Sequence, residues 1–437
     1  MKNWSNKYPL NALQTFQLMR FATTLLIGIL LARFFQLSTP EIALYEVLLF
    51  LGNFLSFFWI SAGIKSLLSQ FSKEKEAHSL LINLAFLLFI LGVSAGGLLY
   101  FFQDFIIHQF TQYEELAHIG LISLFLVFNA PTAIIEYIYL LQKKEKAILW
   151  YGALIFSSQL LVIIIPLVFN WGLSGIFQGL LLWSILKFIW LLNVLFSPKR
   201  NAANTKVSLN WLQLKNLLLL MLPLSLHMLI GGGMEYVDGF IVTSHFEDTG
   251  MFAVFRYGAR ELPLVTILTA ALTATLIPLA VENQPLAITK IKAEVHKLSR
   301  WLFPVTVLLI LLSPYLFPLV YTDKFAESAQ VFNVYLLIIS SRLLLPQVII
   351  YAQQHNFVLV WSAIIEVLIN VGLSLYLVEI HGLVGIAFAT VIAYLVNKII
   401  LIAYVHFTFK IPLTDYLPLK SYIFYNVFLI VGFLIAR

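Results

Sequence analysis

Twelve apolar stretches of roughly twenty residues or more, each long enough to cross the hydrocarbon core of a bilayer as a helix, constrain this chain more than any other feature. They cover 13–35, 42–68, 80–102, 118–141, 148–169, 176–196, 214–243, 251–280, 301–320, 331–352, 357–378 and 385–409. A thirteenth, 418–436, is shorter and opens on Pro418. Hydrocarbon offers no partner to a bare backbone N–H or C=O, so a stretch that crosses it does so as a helix or as part of a closed barrel. Runs this long and this continuously apolar are helical. Hydrophobic residues make up 61% of the 437 and charged residues 11%, against about 45–50% and 25% in soluble domains. A cytosolic enzyme, a secreted module and a disordered chain are excluded, because none could clothe its surface with so few polar groups. The fold expected is an all-α polytopic membrane protein.

The net charge of +6 is explained by where the charges fall. With the N-terminus (Lys2, Lys7) in the cytoplasm, alternate loops carry Lys73 and Lys75; Lys143, Lys144 and Lys146; Lys199, Arg200, Lys206 and Lys215; Lys290, Lys292, Lys297 and Arg300; then Lys410 and Lys420. The opposite loops carry Lys324 and are otherwise acidic, with Glu114, Glu115, Glu247, Asp248, Asp323 and Glu327. Basic loops remain inside, so orientation accounts for the charge and no nucleic-acid partner is expected. Residues 1–12 are polar and no small-residue cleavage site interrupts the first span, so that span is expected to insert and stay.

The loops are too short to hold a folded soluble domain. No G-x-x-x-x-G-K-[ST] phosphate loop and no H-E-x-x-H pair is present. Cysteine is absent, which removes disulfides, thiolate nucleophiles and zinc–thiolate sites. Ser, His and Asp do not gather at one membrane surface, and the largest outer loop is 103–117. The chain is expected to be a non-enzyme without a resident cofactor or metal.

An internal echo organises the spans. GLSGIFQG at 172–179 returns as GLVGIAFA at 382–389, and YLLQKKEKAILW at 139–150 returns as YAQQHNFVLVW at 351–361. Both echoes fall at matching places in the span count. The chain reads as two six-helix bundles, 1–200 and 206–410, in the same orientation, followed by a short hydrophobic segment over 411–437. Parallel repeats around a central cavity are a transporter architecture.

Charges inside the membrane are expensive and mark function by default. Spans seven and eight turn near 245–250, and counting back at about 1.5 Å per residue puts Asp238 level with Arg256, and Glu235 level with Arg260. Arg256 and Arg260, four apart, are expected on one helix face. Two ion pairs that clamp the helices, or a cavity with arginines backed by carboxylates, fit this pattern equally. Guanidinium suits a phosphorylated headgroup because its planar fork bonds phosphate oxygens in pairs and stays charged. Gly231, Gly232 and Gly233 lie mid-span beside Glu235 and form a candidate hinge, with close helix packing as the alternative. Arg20 has no evident partner and is the N-terminal candidate for a cavity cation. Arg342 and Glu366 match in depth and are expected to pair. Glu136 is expected to meet Lys143 or Lys144. Lys65, Lys187 and Lys398 are expected to reach towards the inner surface.

The stretch MLPLSLHMLIGGGMEYVDGFIVTSHFEDTGMFAVFRYGARELPLVTILTAALTATLIPLA (221–280) resembles the seventh and eighth helices of bacterial polysaccharide flippases of the multidrug/oligosaccharidyl-lipid/polysaccharide (MOP) exporter superfamily. The matching features are Pro223, Asp238, Gly250 after the outer turn, Phe255–Arg256–Tyr257 and Pro278. The first span, with Arg20 and then LLARFF at 30–35, is similar to that family's first helix. The resemblance implies a flippase in the bacterial cytoplasmic (inner) membrane that carries an undecaprenyl-diphosphate-linked oligosaccharide to the outer leaflet, for O-antigen or other surface polysaccharide. It implies diphosphate binding by Arg20, Arg256 and Arg260, an ion gradient or the membrane potential as driving force, and polysaccharide polymerase machinery as a partner. The thirteenth segment departs from the family's even span number. Two rivals stand beside it. One is a cation-coupled multidrug exporter of the same fold, which three candidate cavity arginines disfavour. The other is a lipid-linked sugar polymerase or ligase, which the small outer loops disfavour.

Overall fold

The structure, a computed structural model, describes residues 9–35, 37–71, 77–196 and 209–436. Lys2, Lys7, Lys73, Lys75, Lys199, Arg200 and Lys206, used above for orientation, lie outside these. The described residues form helices joined by short turns and contain no strand. The first half comprises α1 (Pro9–Ile29), α2 (Thr39–Phe54), α3 (Phe57–Gln70), α4 (Ala77–Phe101), α5 (Gln103–Phe110), α6 (Ile119–Thr132), α7 (Ile135–Leu141), α8 (Glu145–Val168) and α9 (Gly172–Phe196). The second comprises α10 (Trp211–His245), α11 (Gly250–Gly258), α12 (Pro263–Glu282), α13 (Gln284–Val320), α14 (Ala326–Leu336), α15 (Ile339–Arg342), α16 (Pro346–Ala352), α17 (Asn356–Phe409), α18 (Leu413–Tyr416) and α19 (Leu419–Ile435).

Among the described residues, eight helices are long and apolar enough to cross a membrane, and ten spans result when each of two bent pairs is taken as one. The element α17 accounts for two spans where its label suggests one. A straight helix of 54 residues would be about 80 Å long at 1.5 Å per residue, well over twice the hydrocarbon thickness. It folds back at Gly382, whose φ is +55°. Asn370 bonds Thr390 across this hairpin, and Asn397 bonds Ser362. A Cβ on Gly385 would lie 2.1 Å from the Leu377 carbonyl oxygen, so the two arms meet too closely for any side chain there. The first half turns in the same way between α8 and α9, at Gly172 with φ +61°. The other echoed segment also turns alike in both halves, with Lys143 at φ +57° and Gln354 at φ +60°.

The expected eighth span, 251–280, is not one helix. It breaks between Gly258 and Pro263, into α11 and α12. Proline forces the preceding residue away from helical angles, and Leu262 is extended at φ −66°, ψ 114°. Gly258 ends α11 where a Cβ would sit 2.5 Å from the Ser328 carbonyl oxygen. Arg256 and Arg260 therefore do not share a continuous helix face.

By contacts the chain divides into two compact units: Met1–Gly233 with Glu247–Thr249, and Met234–Phe246 with Gly250–Arg437. Their boundary falls inside α10 and not in the loop after residue 196, because the first part of α10 packs with the first unit. There Asn83 and Ser79 of α4 both donate to the Gln213 side-chain oxygen, at 2.7 and 2.9 Å.

Within lipid, helices gain little from hydrophobicity and associate by close packing, so small residues collect where backbones approach. In the first unit Gly96 of α4 abuts the Ser123 carbonyl of α6, and Gly152 of α8 abuts Phe16 of α1. In the second, Gly432 of α19 abuts Val307 of α13. Phe303 stacks on Tyr425 with centroids 5.6 Å apart and meets Tyr422 edge-on. Lys292, further back on α13, donates to the Thr414 carbonyl at 2.7 Å. Residues 292, 303 and 307 thus meet 414, 422 and 432 in order. The thirteenth segment runs parallel to a spanning helix for its whole length.

Candidate functional site

Two groups of charged and polar side chains lie inside the first and second units, and neither follows the depth-matching of neighbouring spans.

In the first unit, Arg20 is not alone. Its Nη2 donates to Oε1 of Glu136 at 2.8 Å, and its guanidinium carbon lies 5.3 Å from the Phe16 ring centre. Glu136 is therefore engaged within the membrane segment and not by Lys143 or Lys144. The Glu136 side chain is 3% exposed and that of Arg20 is 50% exposed. One carboxylate oxygen binds one guanidinium nitrogen, so most of the five N–H donors of Arg20 are left for other partners. Lys187 does not reach for the inner surface: it is buried, donates to Oδ1 of Asn129, and sits 3.6 Å from the Trp183 ring centre. The amide and the indole face hold its charge inside the unit.

In the second unit, the buried Asp238 is the hub. Among the described residues its carboxylate is held by Tyr335 Oη at 2.6 Å, Thr390 Oγ1 at 2.5 Å and Asn370 Nδ2 at 3.2 Å. The expected ion pair with Arg256 is replaced by these neutral donors from α14 and both arms of α17. The carboxylate thereby ties three spanning segments to the second part of α10. Asn370 Oδ1 and Ser374 Oγ are buried without a hydrogen-bond partner among the described residues. They are four residues apart and so on one face of the first arm. A carboxylate and two orphaned oxygens, with Thr390, form a set of hard oxygen donors of the kind that takes a small cation.

The side chain of Glu235 lies outside the described residues, so its expected pairing with Arg260 does too. Arg260 sits in the break after α11. Its N–H bonds the Gly258 carbonyl at 2.7 Å, its Nε reaches the Arg256 carbonyl at 3.5 Å, and its guanidinium lies 5.3 Å from the Tyr257 ring centre. Arg256 and Arg260 belong to the second unit and Arg20 to the first. Arg342 makes its forked contact with Glu261 of the same break, at 2.9 and 2.6 Å, while the expected partner Glu366 lies within its electrostatic reach. Tyr394 caps it at 3.0 Å. Helix α10 passes through Gly231–Gly233 unbroken. A Cβ on Gly232 would meet Phe57 at 2.8 Å, while one on Gly233 would meet nothing within 4 Å.

Depth-matching links antiparallel neighbours, whereas Asp238 finds its partners on spans far along the chain. The signal that was available is the presence of Asn370, Ser374 and Thr390 inside apolar spans, where polar residues bond across helices.

No family model matches this sequence, and no curated protein matches it. Solved structures do. The lipid II flippase MurJ in an inward closed conformation superposes with a TM-score of 0.67 over 95% of this chain and 92% of its own, at 17% identity. An inward-facing multidrug resistance MATE family transporter of the MOP superfamily gives 0.66 over 91% and 97%, at 15% identity. A MOP superfamily transporter from Pyrococcus furiosus, whose binding pocket is described as having reverse polarity, gives 0.62 over 91% and 95%, at 15% identity. These likenesses span nearly the whole of both partners in each case. The chain is a multi-pass helical membrane protein that shares the fold of these transporters.

Proposed function

We propose that this protein is a flippase of the bacterial cytoplasmic membrane, with its N-terminus inside. Its cargo is an undecaprenyl-diphosphate-linked oligosaccharide, moved to the outer leaflet for surface polysaccharide assembly. The observation that carries this reading is Arg20: a half-exposed guanidinium on a membrane-spanning helix, anchored at one nitrogen by a buried carboxylate. An arginine fixed in this way is pre-oriented for an anionic headgroup, and a phosphoryl group matches its remaining donors. Arg256 and Arg260 are assigned to cargo binding within the second unit. The headgroup crosses through the protein while the lipid tail stays in the bilayer. Polysaccharide polymerase machinery would then receive the product. A multidrug exporter shares this fold and is the second reading. It would favour an acidic or apolar binding surface over arginines.

Asp238, Asn370, Ser374 and Thr390 are assigned to a coupling cation. A buried carboxylate surrounded by neutral donors carries a charge with no counter-ion bonded to it among the described residues, which in the membrane is costly. A cation bound there supplies the missing charge and draws α10, α14 and α17 together.

Arg256→Gln and Arg260→Gln test the cargo assignment. Each is expected to lower transport of the lipid-linked oligosaccharide about tenfold, the effect of losing one charge-assisted contact, at normal abundance in the membrane. Loss of the protein itself would show that these arginines hold the helices together.

The hinge has its own test in Gly233, which lies at the boundary of the two units and has open space around it. Gly233→Ala is expected to stabilise α10 by about 1 kcal/mol and to slow transport, measured by thermal unfolding and by flux. An unchanged flux would remove bending at the glycines from the mechanism.

A further inference from the structure

The polar cluster of the first unit has a counterpart in the second, and the two differ in charge. Each half carries a lysine on its sixth span: Lys187 follows Gly172, and Lys398 stands at nearly the same distance after Gly382. Each donates to a side-chain amide of its half's fourth span, Lys187 to Asn129 and Lys398 to Gln347. Each lies within electrostatic reach of an arginine and a glutamate, Arg20 with Glu136 and Arg342 with Glu366. In the second unit Glu261 adds another carboxylate and grips Arg342 with both oxygens, so two cations face two anions. In the first unit Arg20 and Lys187 share Glu136, and one positive charge is left over among the described residues.

That surplus cannot be expressed at Lys187, which is 7% exposed. It is expressed at Arg20, which is half-exposed. We infer that Lys187 is a positioning residue for anion binding: its ammonium offsets Glu136 from behind, so that Arg20 presents a full positive charge to a diphosphate. Without Lys187, Arg20 and Glu136 form a neutral pair, and an approaching phosphate meets a carboxylate directly behind the guanidinium. Lys187 touches no ligand. The inference rests on the assignment of Arg20 to the diphosphate.

The test is equilibrium binding of farnesyl diphosphate to the purified full-length protein in lipid nanodiscs, with inorganic pyrophosphate and farnesol as competitors. Lys187→Met is expected to weaken binding about tenfold, as removal of one charge within electrostatic reach of a ligand site does at intermediate dielectric. Glu136→Gln is expected to tighten it severalfold in the folded protein, at a lowered melting temperature because Arg20 and Lys187 then lack their shared counter-ion. The double variant, which restores one net positive charge, is expected to bind within about twofold of the native protein, since the two charge changes cancel at the ligand. A structural lysine gives no such rescue, so a double variant as weak as Lys187→Met overturns the inference. Native affinity in Lys187→Met overturns it as well. Arg20→Gln separates the two levels. If it weakens binding and Lys187→Met does not, the inference alone fails. If Arg20→Gln binds as the native protein does, the assignment of Arg20 fails with it. Competition by pyrophosphate or by unlabelled farnesyl diphosphate supports a diphosphate as the ligand, from free anion or lipid respectively, and displacement by farnesol alone overturns it. Should Lys187→Met not fold, Glu136→Gln decides: tighter binding supports the inference, and unchanged or weaker binding overturns it.

Discussion

Asp238→Asn is expected to leave the protein in the membrane at its normal level while ion-driven transport falls about tenfold or more, the loss expected when a functional intramembrane charge is removed. Asparagine has the shape of aspartate, and the hydroxyls of Tyr335 and Thr390 can rotate to accept from its amide. What it lacks is the charge. Asp238→Ala is different. It takes the Tyr335 hydroxyl's acceptor away and leaves Asn370 and Thr390 of α17 with one acceptor fewer each, and breaking a buried charged network in this way costs about 3–5 kcal/mol. The alanine variant is therefore expected to unfold at lower temperature and to be depleted from the membrane. Thermal unfolding of the purified protein in sodium chloride against choline chloride gives a second readout. A cation that binds the folded state stabilises it by about 2.7 kcal/mol at a hundred times its dissociation constant. The native protein is expected to show such a shift and Asp238→Asn to lose it. Equal shifts in both would place the cation elsewhere.

The second large effect is expected at Arg20. Arg20→Gln keeps a hydrogen bond to Glu136 within reach but removes the fork and the charge. Transport is expected to fall about tenfold to a hundredfold, from the loss of one or two charge-assisted bonds. Arg20→Lys, which keeps the charge but not the paired donors, is expected to fall between Arg20→Gln and the native protein. Glu136→Ala is the structural contrast, because it removes the single buried carboxylate that both Arg20 and Lys187 share. Two cations with no counter-ion inside the first unit are expected to destabilise it by about 3–5 kcal/mol. The signature of a binding role is thus lost transport with a normal melting temperature at Arg20, against a lowered melting temperature at Glu136.

The two residues also show how far a sequence read alone reaches. The spans were legible because each is a long apolar run, and the turn at Gly382 was legible because it copies the one at Gly172. The break in the eighth span was signalled by Gly258 and Pro263, but the hydrophobicity of the stretch concealed it. Asp238 and Arg20 stood out as charges in apolar surroundings. Their partners did not. Tyr335, Asn370 and Thr390 are neutral, and Glu136 and Lys187 are separated from Arg20 by more than a hundred residues. Which of several helices faces which is decided by packing of the whole bundle, and periodicity within a single span carries no record of it. Depth counted from a shared turn finds only the neighbour across that turn, which is why it paired Asp238 with Arg256 and Arg342 with Glu366.

The most direct measurement is mass spectrometry of lipid-linked oligosaccharides in cells lacking this protein, with leaflet accessibility probed by an impermeant reagent. Flippase activity requires a complete repeat unit to accumulate on the cytoplasmic side, and the native gene to restore its appearance outside. Complete units that reach the outer leaflet in the absence of the protein, or lipid-linked sugars that do not change at all, would contradict it.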